Sequence, residues 1–313
     1  MNFSLTPDIL VIDEDILPAD SLDSLANIFK IDTDRAGFVQ ADNVHRLSVF
    51  TNRKGITVAG PSRGIQSHAE QMTDAANAVM AALELFENGL DEETVRAEIN
   101  RGKCVRCLTC LRICPHRAVR LKNRVSVVPA ACESCGICTA ECPKGAIKIK
   151  GLGSSDILGG PDRLQNNGDM EASFPVITAF CCSRSAAMAW KLSSSMGLDL
   201  PQGLKVIEIP CGGIVSLDYV FAAFRADADG VLIMTCHEEN CNSEQGNVYA
   251  KKRVDSIAEL LSQMGFEKDR LEVTSLASNM GREFSDITQN FEKRIKNLGP
   301  SRLKKAENKR VSL

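Results

Sequence analysis

Eight of the thirteen cysteines in this 313-residue chain fall in two consecutive runs. They read Cys104-x2-Cys107-x2-Cys110-x3-Cys114-Pro115 and Cys132-x2-Cys135-x2-Cys138-x3-Cys142-Pro143. Thiolates at this spacing are iron ligands. A cubane [4Fe–4S] cluster takes four of them, and a tight C-x2-C-x2-C loop wraps only three. The fourth comes from the end of the other run, so the expected sets are crossed. Cys104, Cys107, Cys110 and Cys142 hold one cluster, and Cys132, Cys135, Cys138 and Cys114 hold the other. Pro115 and Pro143 fix the backbone direction just after each crossing ligand. Structural zinc also favours C-x2-C pairs. Four cysteines in one run closed by proline, and that twice, is the iron–sulfur pattern instead.

The other five cysteines sit among alternating elements. Pro175–Phe180 reads as a strand leading into Cys181 and Cys182, and Ser185 is placed to cap a helix through Ser194. Leu204–Ile209 is a second strand, ending in Pro210-Cys211-Gly212-Gly213, and a helix over Leu217–Arg225 follows. Gly230–Thr235 runs into Cys236, and Leu271–Ser275 is a fourth strand before a last helix. Such alternation implies a parallel sheet, and ligands bind at the carboxyl edge of open parallel sheets. Cys181 or Cys182, Cys211, Cys236 and Cys241 would meet at that edge, where four thiolates suit a [2Fe–2S] cluster. The bland alternative is five core cysteines, a residue type often buried. A catalytic thiol with His237 as base is a further rival, weakened because chain neighbours seldom face each other.

Composition is that of an ordinary globular protein, 44% hydrophobic and 25% charged, and a net charge of −3 gives no case for nucleic acid. The first residues, MNFSLTPDILVIDED, lack the basic and apolar regions of a signal peptide. No apolar run approaches the roughly eighteen residues that cross a bilayer. Thirteen cysteines at mostly metal spacing fit a reducing cytoplasm, and oxygen-labile clusters fit an anaerobic cell. The cysteines divide the chain into an N-terminal segment (1–100), a cluster-binding insert (101–150), a Gly/Ser/Asn-rich linker (151–173), a C-terminal domain (174–298) and a basic tail (299–313). The expected fold is multidomain, α/β and α+β.

These motifs carry resemblances. The two runs resemble a bacterial two-cluster ferredoxin. FCCSRSA at 180–186, IPCGG at 209–213 and ADGVLIMTCHEENCNSEQGNVYAKKRV resemble the delta subunit of methyl-viologen-reducing hydrogenase, including the string Gly246, Asn247, Ala250 and Arg253. That resemblance implies a [2Fe–2S] cluster passing electrons into heterodisulfide reductase. The family shows a further cysteine where this chain has Ser185. The expected ligands are therefore Cys182, Cys211, Cys236 and Cys241, with Cys181 as substitute. Residues 8–86 resemble the end of the flavin-binding region in the large chain of heterodisulfide reductase. Thr51, Gly55-Ile56 and Ala59-Gly60 stand for the strand that closes a flavin domain. The helix after it would point its positive N-terminus at the flavin, with Gly60, Ser67 and Gln71 as candidate contacts. No G-x-G-x-x-G follows an early strand, so FAD is expected to be shared with, or wholly in, a partner subunit.

Taken whole, the order resembles heterodisulfide reductase fusions with the hydrogenase delta module. It also resembles the C-terminal half of the B chain of the quinone-interacting membrane-bound oxidoreductase. It implies an electron-transfer subunit without substrate chemistry of its own. Its partners would be a flavin-bearing heterodisulfide-reductase-like subunit and a hydrogenase, formate dehydrogenase or other electron donor or acceptor. The rival classes are a flavoenzyme reducing a disulfide or thiol by itself and a redox sensor that signals by cluster loss.

Overall fold

The computed structural model describes residues 17–42, 47–53, 55–87, 96–159 and 174–301. The chain forms two compact units, 1–92 and 93–313. The expected linker residues 160–173 and most of the basic tail, 302–313, lie outside the described residues.

In the first unit, helix α1 (Asp20–Phe29) ends where Lys30 takes a left-handed φ of 59° and donates its N–H to Ala26 O. Helix α2 (His68–Glu87) carries the anchor of the unit, the buried Asp74. Its carboxylate pairs with Arg63 and accepts Gln66 Nε2 at 2.7 Å and Ser48 Oγ at 3.4 Å. Burial acts to raise its pKa, but the Gln66 and Arg63 hydrogen bonds prevail and hold it below the ordinary value. The flavin-closing strand expected over residues 51–60 is not a strand. Only an isolated bridge joins Phe50 to Thr57, and the Thr51 hydroxyl donates to Ile56 O at 2.9 Å, folding the segment into a tight loop. A strand needs a paired neighbour, and the described residues of this unit offer no strand longer than a bridge.

The second unit opens with two short antiparallel ladders. Strand β1 (Ala97–Ile99) pairs antiparallel with β4 (Ile147–Ile149), and β2 (Val119–Leu121) with β3 (Val125–Val127). The ladder thus reaches back before residue 101. Two single-turn helices, α3 (Thr109–Ile113) and α4 (Ile137–Ala140), complete this part. The stretch expected to be a linker starts instead as helix α5 (Ser154–Gly159), whose Ile157 is wholly buried in the core of the following domain. The Tyr219 hydroxyl donates to Leu152 O beside it.

The remainder is a four-stranded parallel sheet, order β6-β5-β7-β8, with β5 (Ile177–Cys182), β6 (Leu204–Ile209), β7 (Gly230–Thr235) and β8 (Leu271–Ser275). Strands β5 and β7 are buried throughout, as continuous apolar runs in a parallel sheet require. Helices α6 (Ala186–Ser195) and α9 (Gly281–Leu298) cover one face through Ala186, Ala189, Phe284 and Phe291. Helices α7 (Leu217–Arg225) and α8 (Gly246–Gln263) cover the other through Tyr219, Phe224, Val254 and Ile257. Because β6 and β7 flank β5, the chain leaves β5 to one side and returns to the other, which opens a crevice at the carboxyl edge.

Candidate iron-sulfur centres

The two cysteine runs repeat at the level of the backbone. Cys104 and Cys132 are 28 residues apart, and so are their followers. At matched positions Arg106 (φ 55°) and Ser134 (φ 53°), then Leu108 (φ 61°) and Gly136 (φ 79°), turn left-handed. Such turns aim successive N–H groups into one concavity, a cradle for an anion. Two cavities result, and their linings are the crossed sets. Cys104, Cys107, Cys110 and Cys142 line one, with Ile99, Val125 and Ile147. Cys114, Cys132, Cys135 and Cys138 line the other, with Val119, Val127 and Ile149. Each crossing sulfur accepts a backbone N–H, Cys114 Sγ from Ala118 at 3.3 Å and Cys142 Sγ from Ala146 at 3.2 Å. Four convergent sulfurs, apolar walls and inward N–H donors fit a cubane, whose potential rises with hydrogen bonds to sulfur. Burial pushes the Cys135 thiol up to about 12, and burial with the facing Cys135, Cys114 and Cys132 raises Cys138 further. Loading iron there would displace these protons. Cys107, by contrast, is exposed, and hydrogen bonding from Thr109 lowers its pKa.

At the carboxyl edge of the sheet, Cys181 and Cys182 are the last two residues of β5 and so point to opposite faces. Cys181 turns into the α6–α9 core, its sulfur 3.9 Å from Met234 Sδ. It therefore does not join the other thiols, which corrects its expected part as substitute ligand. Cys182, Cys236, Cys241 and Cys211 do come together. Cys236 faces Cys182 and Cys241, and Cys241 faces Cys211, closely enough for each thiol to shift its neighbour's ionisation. The facing Cys211 and Cys236 push Cys241 down and Cys236 lowers Cys182 to about 7, while Cys211 and Cys236 themselves are raised. Cys182 and Cys241 are thus the two thiols shifted toward the thiolate form that binds metal. Gly213 N–H donates to Cys211 Sγ at 3.4 Å. Asn247 Nδ2 pins the return loop by donating to Cys236 O at 3.0 Å and His237 O at 2.7 Å. Ser185 lies buried beside Cys182, so four thiols are present without a cysteine there. His237 is exposed while Cys236 is buried, which leaves the catalytic thiol–base pair without support.

The second cubane site and the sheet thiols are neighbours. A Cβ on Gly136 would come within 2.3 Å of Ile214, and one on Gly213 within 2.6 Å of Ile137. Cys135 lies near enough to Cys211 to oppose its ionisation. Ser243 Oγ stands 3.5 Å from His116 Nε2, and Ser243 is close enough to Cys135 and Cys241 to favour the ionised form of each. Arg253 clamps the junction. Its Nη2 lies 2.8 Å from Glu141 Oε1, and its Nη1 donates to Gly213 O at 3.2 Å and to Val215 O. Glu141, Ser243, Gly136 and Ile214 were invisible to spacing rules. The one sequence signal was that Gly136 stands where the first run has Leu108. Arg253→Ala leaves Glu141 and two carbonyls unpaired, so it is expected to cost this unit about 2–4 kcal/mol in urea unfolding.

The expected flavin contacts are committed elsewhere. Ser67 and Glu70 form a reciprocal capping box, Ser67 N–H to Glu70 Oε2 at 2.7 Å and Glu70 N–H to Ser67 Oγ at 3.3 Å. The α2 N-terminus thus already holds a carboxylate. Gln71 Nε2 donates to Gln66 O at 3.2 Å. Gly60 (φ 75°) opens a 3-10 turn, and its missing side chain faces open space.

Two crossed cubane cavities beside a four-thiol group on a parallel sheet define an iron–sulfur protein. Residues 103–146 match the 4Fe-4S dicluster domain, and residues 177–299 match the delta subunit of methyl-viologen-reducing hydrogenase. The chain therefore joins a 4Fe-4S dicluster domain to a hydrogenase delta-subunit domain. It is 30% identical over 250 residues to the A chain of the ferredoxin/F420H2-dependent CoB-CoM heterodisulfide reductase of Methanosarcina acetivorans, covering 79% of this chain and 31% of that one. It is 29% identical over 126 residues to the iron-sulfur subunit of the F420-non-reducing hydrogenase of Archaeoglobus profundus, covering 40% of this chain and 92% of the relative. The iron-sulfur subunit of the vhu F420-non-reducing hydrogenase of Methanocaldococcus jannaschii is likewise 29% identical, over 130 residues, 42% of this chain and 97% of its own. The chain spans about a third of the heterodisulfide reductase chains it matches.

Proposed function

We propose that this chain is the iron–sulfur electron-transfer subunit of a heterodisulfide-reductase-like oxidoreductase complex. Cys182, Cys211, Cys236 and Cys241 would hold a [2Fe–2S] cluster, and the crossed ferredoxin sets two [4Fe–4S] clusters. Electrons would pass between these and a flavin bound wholly by a partner subunit. The observation that carries this reading is the junction, where the loop of the second cysteine run packs on the loop of Cys211 within one unit, Gly136 against Ile214 and Gly213 against Ile137. The capping box at Ser67 supports placing the flavin in the partner, because a carboxylate already sits at the helix end meant for it. Hydrogenase-type subunits would supply or take the electrons, in keeping with the names of the relatives. Among the described residues no helix is long and apolar enough to cross a membrane.

The test is composition of the chain purified without oxygen. Roughly ten irons with matching acid-labile sulfide and no flavin are expected. A count of roughly eight would show that the sheet thiols carry no cluster, and one flavin per chain would make the protein a flavoenzyme.

A further inference from the structure

The charge of this protein is unevenly placed. Residues 96–150 hold twelve Lys and Arg against three Glu, a formal +9 in a chain whose total is −3, so the rest carries −12. Eleven of those twelve cations are exposed. Two loaded cubanes would bring roughly four negative charges and leave the surplus basic.

The cations gather at the first site and not at the second. Arg106 and Lys144 line the first cavity, and Arg112 stands near the exposed Cys107. The residues 28 positions later than Arg106 and Arg112 are Ser134 and Ala140. The only acids of the ferredoxin part near a candidate cluster belong to the second site, where Glu133 lines the cavity and Glu141 pairs with Arg253. A packing reason accompanies the difference. The second run is pressed against the sheet domain, Gly136 leaving no room for a Cβ beside Ile214. The first run faces solvent, with Val105 58% exposed and Cys107 exposed. An apolar spot inside a charged rim, next to an exposed candidate ligand, has the anatomy of a transient docking face.

We infer that the rim of the first cubane site, formed by Lys103, Arg106, Arg112 and Lys144 around Val105 and Cys107, docks an acidic electron-carrier protein. Cys104, Cys107, Cys110 and Cys142 would hold the cluster, which when bound would exchange one electron with the carrier, no bond being made or broken. The inference rests on the electron-transfer reading above and adds the place and charge of the partner. Opposite charge would raise the encounter rate by about ten- to a thousandfold at low salt. A nucleic acid would also meet a basic face, but a candidate ligand at its centre favours a redox partner.

The probe is a reduced acidic [2Fe–2S] ferredoxin, mixed with the full chain in a stopped-flow device, with dithionite reduction followed by EPR as a separate arm. The second-order rate should fall about tenfold or more from low to high salt. The double variant Lys103→Glu, Arg112→Glu, which leaves the lining of the cavity intact, should lower it about tenfold at low salt, with cluster content and dithionite reduction unchanged. Reversing Lys191 and Lys251 on the sheet domain should leave it nearly unchanged. Equal slowing by both variants would mean bulk charge and would overturn the docking face. So would salt-independent transfer, or RNA retention through the same cations without transfer from the ferredoxin. Failure of dithionite to reduce any cluster would instead sink the electron-transfer reading.

Discussion

Gly246→Ala is expected to strip iron from the sheet thiols while both cubane sites stay loaded, although no ligand is removed. A Cβ at this position would come within 2.4 Å of Cys211 Sγ and 3.4 Å of Cys241 Sγ. The residue begins α8, so the backbone cannot retreat without disturbing Asn247, which pins the Cys236 loop. Cys211 is fixed from its other side by the Gly213 N–H. One of the two must move, and a misplaced thiolate costs a cluster its fourth bond. Anaerobic iron analysis should give about eight irons instead of about ten, and the EPR signal of the smaller cluster should vanish. Retention of all ten irons would show that Cys211 is not a ligand.

Cys114→Ser is the second large effect, a loss of about four irons from the site held by the other run. Cys114 follows the first run in sequence but lines the cavity of Cys132, Cys135 and Cys138. Its substitution should therefore spare the cluster of Cys104, Cys107, Cys110 and Cys142, the one beside exposed Cys107. Spectra that lose the exposed, rapidly reacting cluster instead would invert the assignment.

Much of the fold was legible because its signals are local. The apolar run GVLIMT and the run LEVTS are strands over the residues expected, Gly230–Thr235 and Leu271–Ser275, and Leu217–Arg225 is the expected helix. The crossed grouping followed from how few corners a short loop reaches, and the cavities have those linings. Helix α8 was not read as a helix although Ala250, Val254, Ile257 and Leu261 recur at i, i+4, i+7 and i+11, the spacing of one helix face; its Gly246–Arg253 string stood out only as a motif. The strand expected over residues 51–60 failed for a different reason. Extended segments are stabilised by neighbours, and none is paired there beyond one bridge.

By itself, the amino-acid sequence determined which atoms could bind iron, since the spacing of thiols along a short loop limits which corners of a cluster they reach. It also determined the alternation of strands and helices, which depends on the order of apolar residues along the chain. Only the tertiary structure decided between Cys181 and Cys182, because adjacent strand residues differ solely in which face of the sheet they meet. It alone set the second cubane site against the sheet thiols and left the first open to solvent. That choice depends on Gly136 meeting Ile214 and Arg253 meeting Glu141, contacts between residues far apart in sequence whose energy exists only once both surfaces are folded.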